Sequence, residues 1–173
     1  MKFFHTLREK TFVLRELKRG NLTPLFKYVL YRLRLSHYFS VARKHYTLHV
    51  SYSPLAFWLW TRQNKPKSDE LFYERFLRPG DIVVDCGAHL GTLAMTAASL
   101  VGPEGSVLAC EMHPRTYSYL VRNIKKNGFT NIITINTAVG DKVQTVRITD
   151  EYVSDINHIT DDGALTVPMA TIS

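Results

Sequence analysis

Cysteine is scarce in this chain of 173 residues, which holds only Cys86 and Cys110. Two thiols cannot build a framework of several disulfides, and neither stands in a CxxC or other metal-ligand spacing, so no metal site is expected. A reduced, intracellular compartment is the expectation. Long apolar runs are missing as well. The longest is "LAFWLW", while a membrane span needs about 20 residues. The opening "MKFFHTLREK" carries Lys2, Arg8, Glu9 and Lys10 where a signal peptide keeps its apolar core. Neither secretion nor a transmembrane helix is expected, and the location read from this is cytoplasmic. There is no internal repeat and no low-complexity tract.

What is present is the composition of an ordinary soluble protein, 45% hydrophobic and 21% charged. The net charge of +7 is unevenly spread. Residues 1–49 hold eleven Lys and Arg against Glu9 and Glu16, a formal +9, whereas the remainder holds eleven against thirteen acids, or −2. This contrast divides the chain into a basic extension over 1–65 and a near-neutral domain over 66–173. In the extension, "LTPLFKYVLYRLRL" sets Leu22, Leu25, Phe26, Val29, Leu30 and Leu33 at helical spacing, with Thr23 and Pro24 as a helix start. Such a helix can pack its apolar stripe on the domain, lie on an anionic membrane as a peripheral contact, or grip RNA. The alternating, aromatic "YTLHVSYSPLAFWLW" predicts one or two strands with Pro54 at a turn or edge, and "TRQNKPKS" a linker.

From Ser68 the pattern becomes regular. "SDELFYERFL" predicts a helix with acids in its first turn, stopped by "RPGD". "IVVDC" predicts a strand buried on both faces, "GAHLG" a turn and "TLAMTAASLV" a helix of small residues. "SVLACE" is a second strand, "PRTYSYLVRNIKKNG" a second helix closed by Gly128, and "NIITINTAV" a third strand. The alternation predicts βαβ units, and hence an α/β, Rossmann-like parallel sheet with right-handed crossovers.

Ligands of such sheets bind beyond the carboxyl ends of the strands. Asp85 and the turn Gly87, Ala88, His89 and Gly91 end the first strand, and Glu111 ends the second. The separation from Gly91 to Glu111 suits an acid that takes hydrogen bonds from a ribose, which implies a nucleoside-bearing cofactor. The spacing D-x-G-x-x-x-G lacks the middle glycine of a pyrophosphate-binding loop, and Asp85 would repel a diphosphate. Asp85 would suit an ammonium and a sulfonium instead, so S-adenosyl-L-methionine is the expected cofactor. Met112 stands ready for the adenine, and Ala138, with Asn136, can offer it backbone groups.

The stretches "LRPGDIVVDCGAHLG", "EMHPRTYSYLVRNIKKNG" and "NTAVGD" resemble, in order and spacing, the opening motifs of FkbM-type S-adenosylmethionine-dependent methyltransferases. The resemblance covers roughly residues 70–170, with His89 standing where that family usually has asparagine. It implies a class I methyltransferase fold and O-methylation of a sugar, glycan or natural-product hydroxyl. An RNA methyltransferase, and a non-catalytic membrane-peripheral module that retains the cofactor turn, are the alternatives. In that family a segment like "LTVPMATIS" precedes a further strand and the rest of the sheet. An incomplete sheet is therefore expected here, with a hairpin from "KVQTVRIT" and "ALTVPMA" and with the missing half supplied by another chain. No catalytic residue is assigned. His158 with Asp155, Asp161 and Asp162 is the only further cluster able to supply a base or hold a metal, and a polar hairpin loop accounts for it equally well.

Overall fold

The structure, a computed structural model, describes residues 2–33, 35, 39–49, 54–61, 68–151 and 156–172. Its centre is a three-stranded parallel sheet in the order β3 (Ile82–Cys86), β4 (Ser106–Cys110), β5 (Ile132–Ile135). Helix α5 (Thr92–Val101) crosses from β3 to β4 and α6 (Pro114–Asn127) from β4 to β5. The register sets Val84 beside Leu108 and Leu108 beside Ile133, so these three share one face. The other face receives α5, whose Ala94, Ala97 and Ala98 are buried and allow the close approach of helix to sheet. Pro24 of the extension and Pro114 each lie in a first helical turn, and Gly128 closes α6 in the left-handed conformation, as expected.

Burial on both faces of β3 is not what is found. Ile82 is 80% exposed and Ile133 63%, with Val84 and Ile135 also open to solvent. Among the described residues no strand pairs with the free edge of β3. Among the described residues this face is left largely open at the Ile82 and Ile133 end, and the sheet is Rossmann-like, parallel in the order β3, β4, β5. The third predicted strand is broken into β5 and a short β6 (Ala138–Val139). The expected hairpin exists: β7 (Gln144–Ile148) pairs antiparallel with β8 (Leu165–Ala170), which also pairs in parallel with β6.

The extension is built from α1 (Lys2–Lys18), α2 (Thr23–Arg32), β1 (Ser40–Ala42), β2 (Thr47–His49) and α3 (Pro54–Thr61), and α4 (Ser68–Phe76) follows it. Of the expected linker at 61–68, Thr61 ends α3 and Ser68 begins α4, while 62–67, with the 65/66 division, lie outside the described residues. The strand expected around Pro54 is corrected, because "PLAFWLWT" is helix α3, with Phe57, Leu59 and Trp60 buried. Proline suits a first helical turn, and an apolar run of this length does not by itself separate a buried strand from a buried helix. The extension shares one core with the sheet unit, since Val13, Tyr31, Val41, Leu48 and Phe57 belong to the same buried cluster as Leu90, Met95 and Leu120.

Polar contacts bind the two parts further. Arg43 forms an ion pair with Glu70, which also accepts the Tyr46 hydroxyl at 2.9 Å. Asn123 of α6 accepts the His49 N–H at 2.8 Å and donates to Leu90 O at 2.9 Å. Because Asn123 is fully buried, one amide holds β2 and the glycine turn together.

Candidate functional site

The site is built on the turn between β3 and α5. Gly87, His89 and Gly91 have φ of 85°, 51° and 88°. Three left-handed residues in five fold the chain back on itself, at a cost only glycine avoids entirely and histidine bears better than most. Among the described residues His89 is the only non-glycine with positive φ. The two flanking glycines do different work. A Cβ on Gly91 would lie 2.8 Å from Leu120 Cδ1, whereas one on Gly87 would meet nothing within 4 Å. Gly91 lets α6 close on the turn, and Gly87 leaves open space above it.

Glu111 fixes the shape of this turn. Its carboxylate accepts the His89 N–H at 2.9 Å and the His113 N–H at 2.9 Å. Asn136 donates to the carbonyls of Glu111 and Met112 at 2.7 and 3.1 Å, and the N–H groups of Gly87 and Ala88 both reach Cys110 O at 2.9 Å. Burial raises the Glu111 pKa above the ordinary range, opposed by the two backbone donors. Two bonds still leave a carboxylate lone pairs for further donors.

Asp85 is buried at the end of β3. Desolvation pushes its pKa up to about 6, against a backbone hydrogen bond from Ala94 and with help from the nearby Glu111 charge. One of its carboxylate oxygens, Oδ2, is buried without a hydrogen-bond partner. An unsatisfied buried acceptor is costly unless it serves a ligand, and two acids this close favour a cation between or beside them.

A cavity of about 440 Å³ opens at the carboxyl ends of the strands, and Gly87, His89, Glu111, Met112 and Ala138 of the expected residues line it. The volume lies within the range usual for small-molecule sites. Asp85, Ala88 and Gly91, expected to contact the cofactor, do not line it: Asp85 is buried at the end of β3, Ala88 is turned into the core, and Gly91 is packed under Leu120. Five further residues complete the wall, namely Cys86, Thr137, Val139, Asn157 and Ile159. Thr137 and Val139 flank Ala138 and were within reach of strand-end reasoning. Asn157 and Ile159 come from the excursion between β7 and β8 and carry no local signal.

That excursion is held over the site by polar contacts. The buried His113 ring lies 3.1 Å from Asp150, which also pairs with Arg115, and Asn157 accepts the Glu151 N–H at 2.7 Å. His158, between the two lining residues, is exposed and bonded to Ile156 O at 3.0 Å, and the Asp162 carboxylate takes a hydrogen bond from Thr160. Asp155 lies outside the described residues. Among the described residues no group of three His, Cys, Asp or Glu side chains could hold a metal. The lining fits the expected nucleoside cofactor: Glu111 in the wall with buried Asp85 at the neighbouring strand end, a turn open above Gly87, and apolar surface at Met112, Ala138 and Ile159.

Comparison with known proteins agrees on the chemistry and corrects the family. Over 105 residues the chain is 33% identical to an uncharacterized protein of Methanocaldococcus jannaschii, covering 53% of this chain and 39% of that one. It is 34% identical over 65 residues to a protein-L-isoaspartate O-methyltransferase of Aeropyrum pernix, covering 38% of this chain and 25% of that one. The chain thus spans well under half the length of these curated relatives. The structure overlays in part on TYW2 of Methanocaldococcus jannaschii in complex with AdoMet, with a TM-score of 0.42 and 23% identity, covering 56% of this chain and 41% of that one. The FkbM assignment is overturned by the family model that does match, the TRM5/TYW2 methyltransferase domain over residues 60–164. The sugar, glycan or natural-product acceptor that rested on FkbM goes with it, while S-adenosyl-L-methionine remains the cofactor. With its parallel sheet, its strand-end acids and its left-handed turn all inside the matched residues, the chain belongs to the TRM5/TYW2 methyltransferase domain family.

Proposed function

We propose that this chain is the cofactor-binding part of an RNA methyltransferase whose acceptor is transfer RNA. The observation that carries the reading is the match of residues 60–164 to the TRM5/TYW2 methyltransferase domain. The bare sheet face and free β3 edge then receive the rest of the catalytic domain, in the same or another chain. The +9 of residues 1–49 supplies a sequence-independent attraction for phosphates.

Each residue then has a role set by its surroundings. Ionised Asp85 holds the ammonium end of the cofactor, and Glu111 takes the ribose hydroxyls with the lone pairs its backbone donors leave free. Met112, Ala138 and Ile159 offer an apolar slot to the adenine, closed from above by the loop carrying Asn157. When bound, the cofactor supplies a methyl group on a positively charged sulfur, so the chain has mainly to position it for in-line attack. Since Asp85 titrates near 6, a cationic ligand beside it binds more tightly as pH rises through that value.

Calorimetric titration with S-adenosylhomocysteine, in parallel with Glu111→Ala, tests the cofactor half. Affinity should fall by at least about tenfold in the variant. A folded chain that binds no S-adenosylhomocysteine would sink this assignment. Filter binding of transfer RNA tests the acceptor half, and affinity should drop steeply with salt. No RNA binding by a chain that does hold S-adenosylhomocysteine would remove the RNA acceptor and leave the cofactor site standing.

A further inference from the structure

Helix α2 turns the wrong face outward for a helix that merely packs. Tyr31 is 3% exposed and Pro24 is buried, with the Tyr31 ring 4.9 Å and the Tyr28 ring 5.9 Å from that of Phe57. Lys27 donates to Trp60 O at 2.8 Å on the same side. Leu22, Leu25, Phe26, Val29 and Leu33 are all exposed, Phe26 to 64%. At 3.6 residues per turn these five fall within an arc of about 100°, opposite Tyr31. Only Leu30 of the predicted stripe is partly buried against the core. The helix is therefore anchored by its tyrosines and displays the rest of its apolar stripe.

Cations stand at both ends of this stripe, and others are exposed on the neighbouring α1. Lys18 and Arg19 lie at the α1–α2 turn, Arg32 ends α2 beside Leu33, and Lys10 and Arg15 are exposed on α1. Arg15 and Arg19 share the single acid Glu16. We propose that α2 is a membrane-surface helix, laying Leu22, Leu25, Phe26, Val29 and Leu33 into the headgroup boundary of an anionic bilayer while the flanking cations meet lipid phosphates. RNA would use the cations but has no use for a contiguous leucine and valine stripe. A bilayer interface uses both. No helix among the described residues is long and apolar enough to cross a membrane, so the contact lies on the surface.

The test is flotation of the whole chain with phosphatidylcholine vesicles, with and without phosphatidylglycerol, for the unaltered protein and for Phe26→Glu combined with Val29→Glu. Both side chains are exposed, so circular dichroism and melting should be unchanged, and the milder Phe26→Ser serves if the double variant fails to fold. The expected result is binding to anionic vesicles only, reduced about tenfold or more in the variant. No flotation, equal flotation with neutral vesicles, or flotation indifferent to the substitutions overturns the proposal. So does finding that the same substitutions instead abolish transfer RNA binding, or dissolve a dimer seen by size exclusion.

Discussion

Among the apolar surfaces that the described residues turn to water, those of the sheet and of α2 differ in what could cover them. On the sheet, Ile82, Val84, Ile133 and Ile135 form a face beside the unpaired edge of β3. A strand edge offers unpaired N–H and C=O groups, so it asks for a polypeptide that can continue the ladder. On α2 the backbone groups are satisfied within the helix, so its stripe asks only for an apolar medium, and the cations around it say which kind. Exposed hydrophobic area alone does not identify a partner. The state of the backbone beneath it does.

The largest expected effect destroys the sheet side of this comparison. Gly91→Val meets both a φ of 88° and the Leu120 methyl 2.8 Å from its Cβ. It should cost about 3 kcal/mol or more, while Gly87→Ala, with strain but no collision, should cost about 1–2 kcal/mol. Melting curves of the two variants measure the difference, and similar losses would mean that Leu120 simply moves aside. Next in size is Asn123→Ala, which strips partners from His49 N–H and Leu90 O and should cost about 2–3 kcal/mol. It asks whether the two surfaces belong to one folding unit. Urea unfolding followed through Trp58 and Trp60 of α3 should coincide with that followed by circular dichroism, and separate transitions would show that they do not.

Asp85→Asn should uncouple function from stability. Its carboxyl is raised from 3.8 to about 6, so the folded state favours the protonated acid. Stability from this group is full below about pH 4 and is lost as pH rises through 6. The amide should therefore gain up to about 2–3 kcal/mol at pH 7, less at pH 4, while weakening S-adenosylhomocysteine. A variant less stable at pH 7 than at pH 4, relative to the parent, would contradict the assignment. The smallest effects are at the exposed positions themselves. Phe26→Ser and Ile133→Lys should each change stability by under about 0.5 kcal/mol. Ile133→Lys should reduce any self-association through the sheet face in light scattering, and Phe26→Ser should leave it unchanged.

The strand–turn–helix units were legible because their signals are local. Glycines at left-handed positions, Pro114 and Gly128 dictate backbone geometry whatever lies beyond them. The strand-end acids were legible too, since the topology of a parallel sheet fixes where its ligands sit. What failed to read out was relational. Hydropathy could name the aliphatic stripe of α2 but not foresee that Tyr28 and Tyr31 would claim the core, since that depended on Phe57, in a run that reads equally as strand. Asn157 and Ile159 are held at the cavity by contacts with the end of β7 and the residues after it, the bridge of Ile159 to Ile148 and the bonds of Asn157 to Thr149 and Glu151, which no local pattern announces. The family was misread for a related reason: a strand, a glycine turn and strand-end acids are features of a fold, and the acceptor leaves no mark on them.

Asn123 has one more consequence, visible by hydrogen exchange. The His49 amide, capped by the Asn123 carbonyl whose other end holds Leu90 O, can trade its proton only when that bridge opens. A residue in the basic extension thus becomes a remote gauge of order in the glycine turn, and its exchange rate should slow when a ligand stiffens "GAHLG".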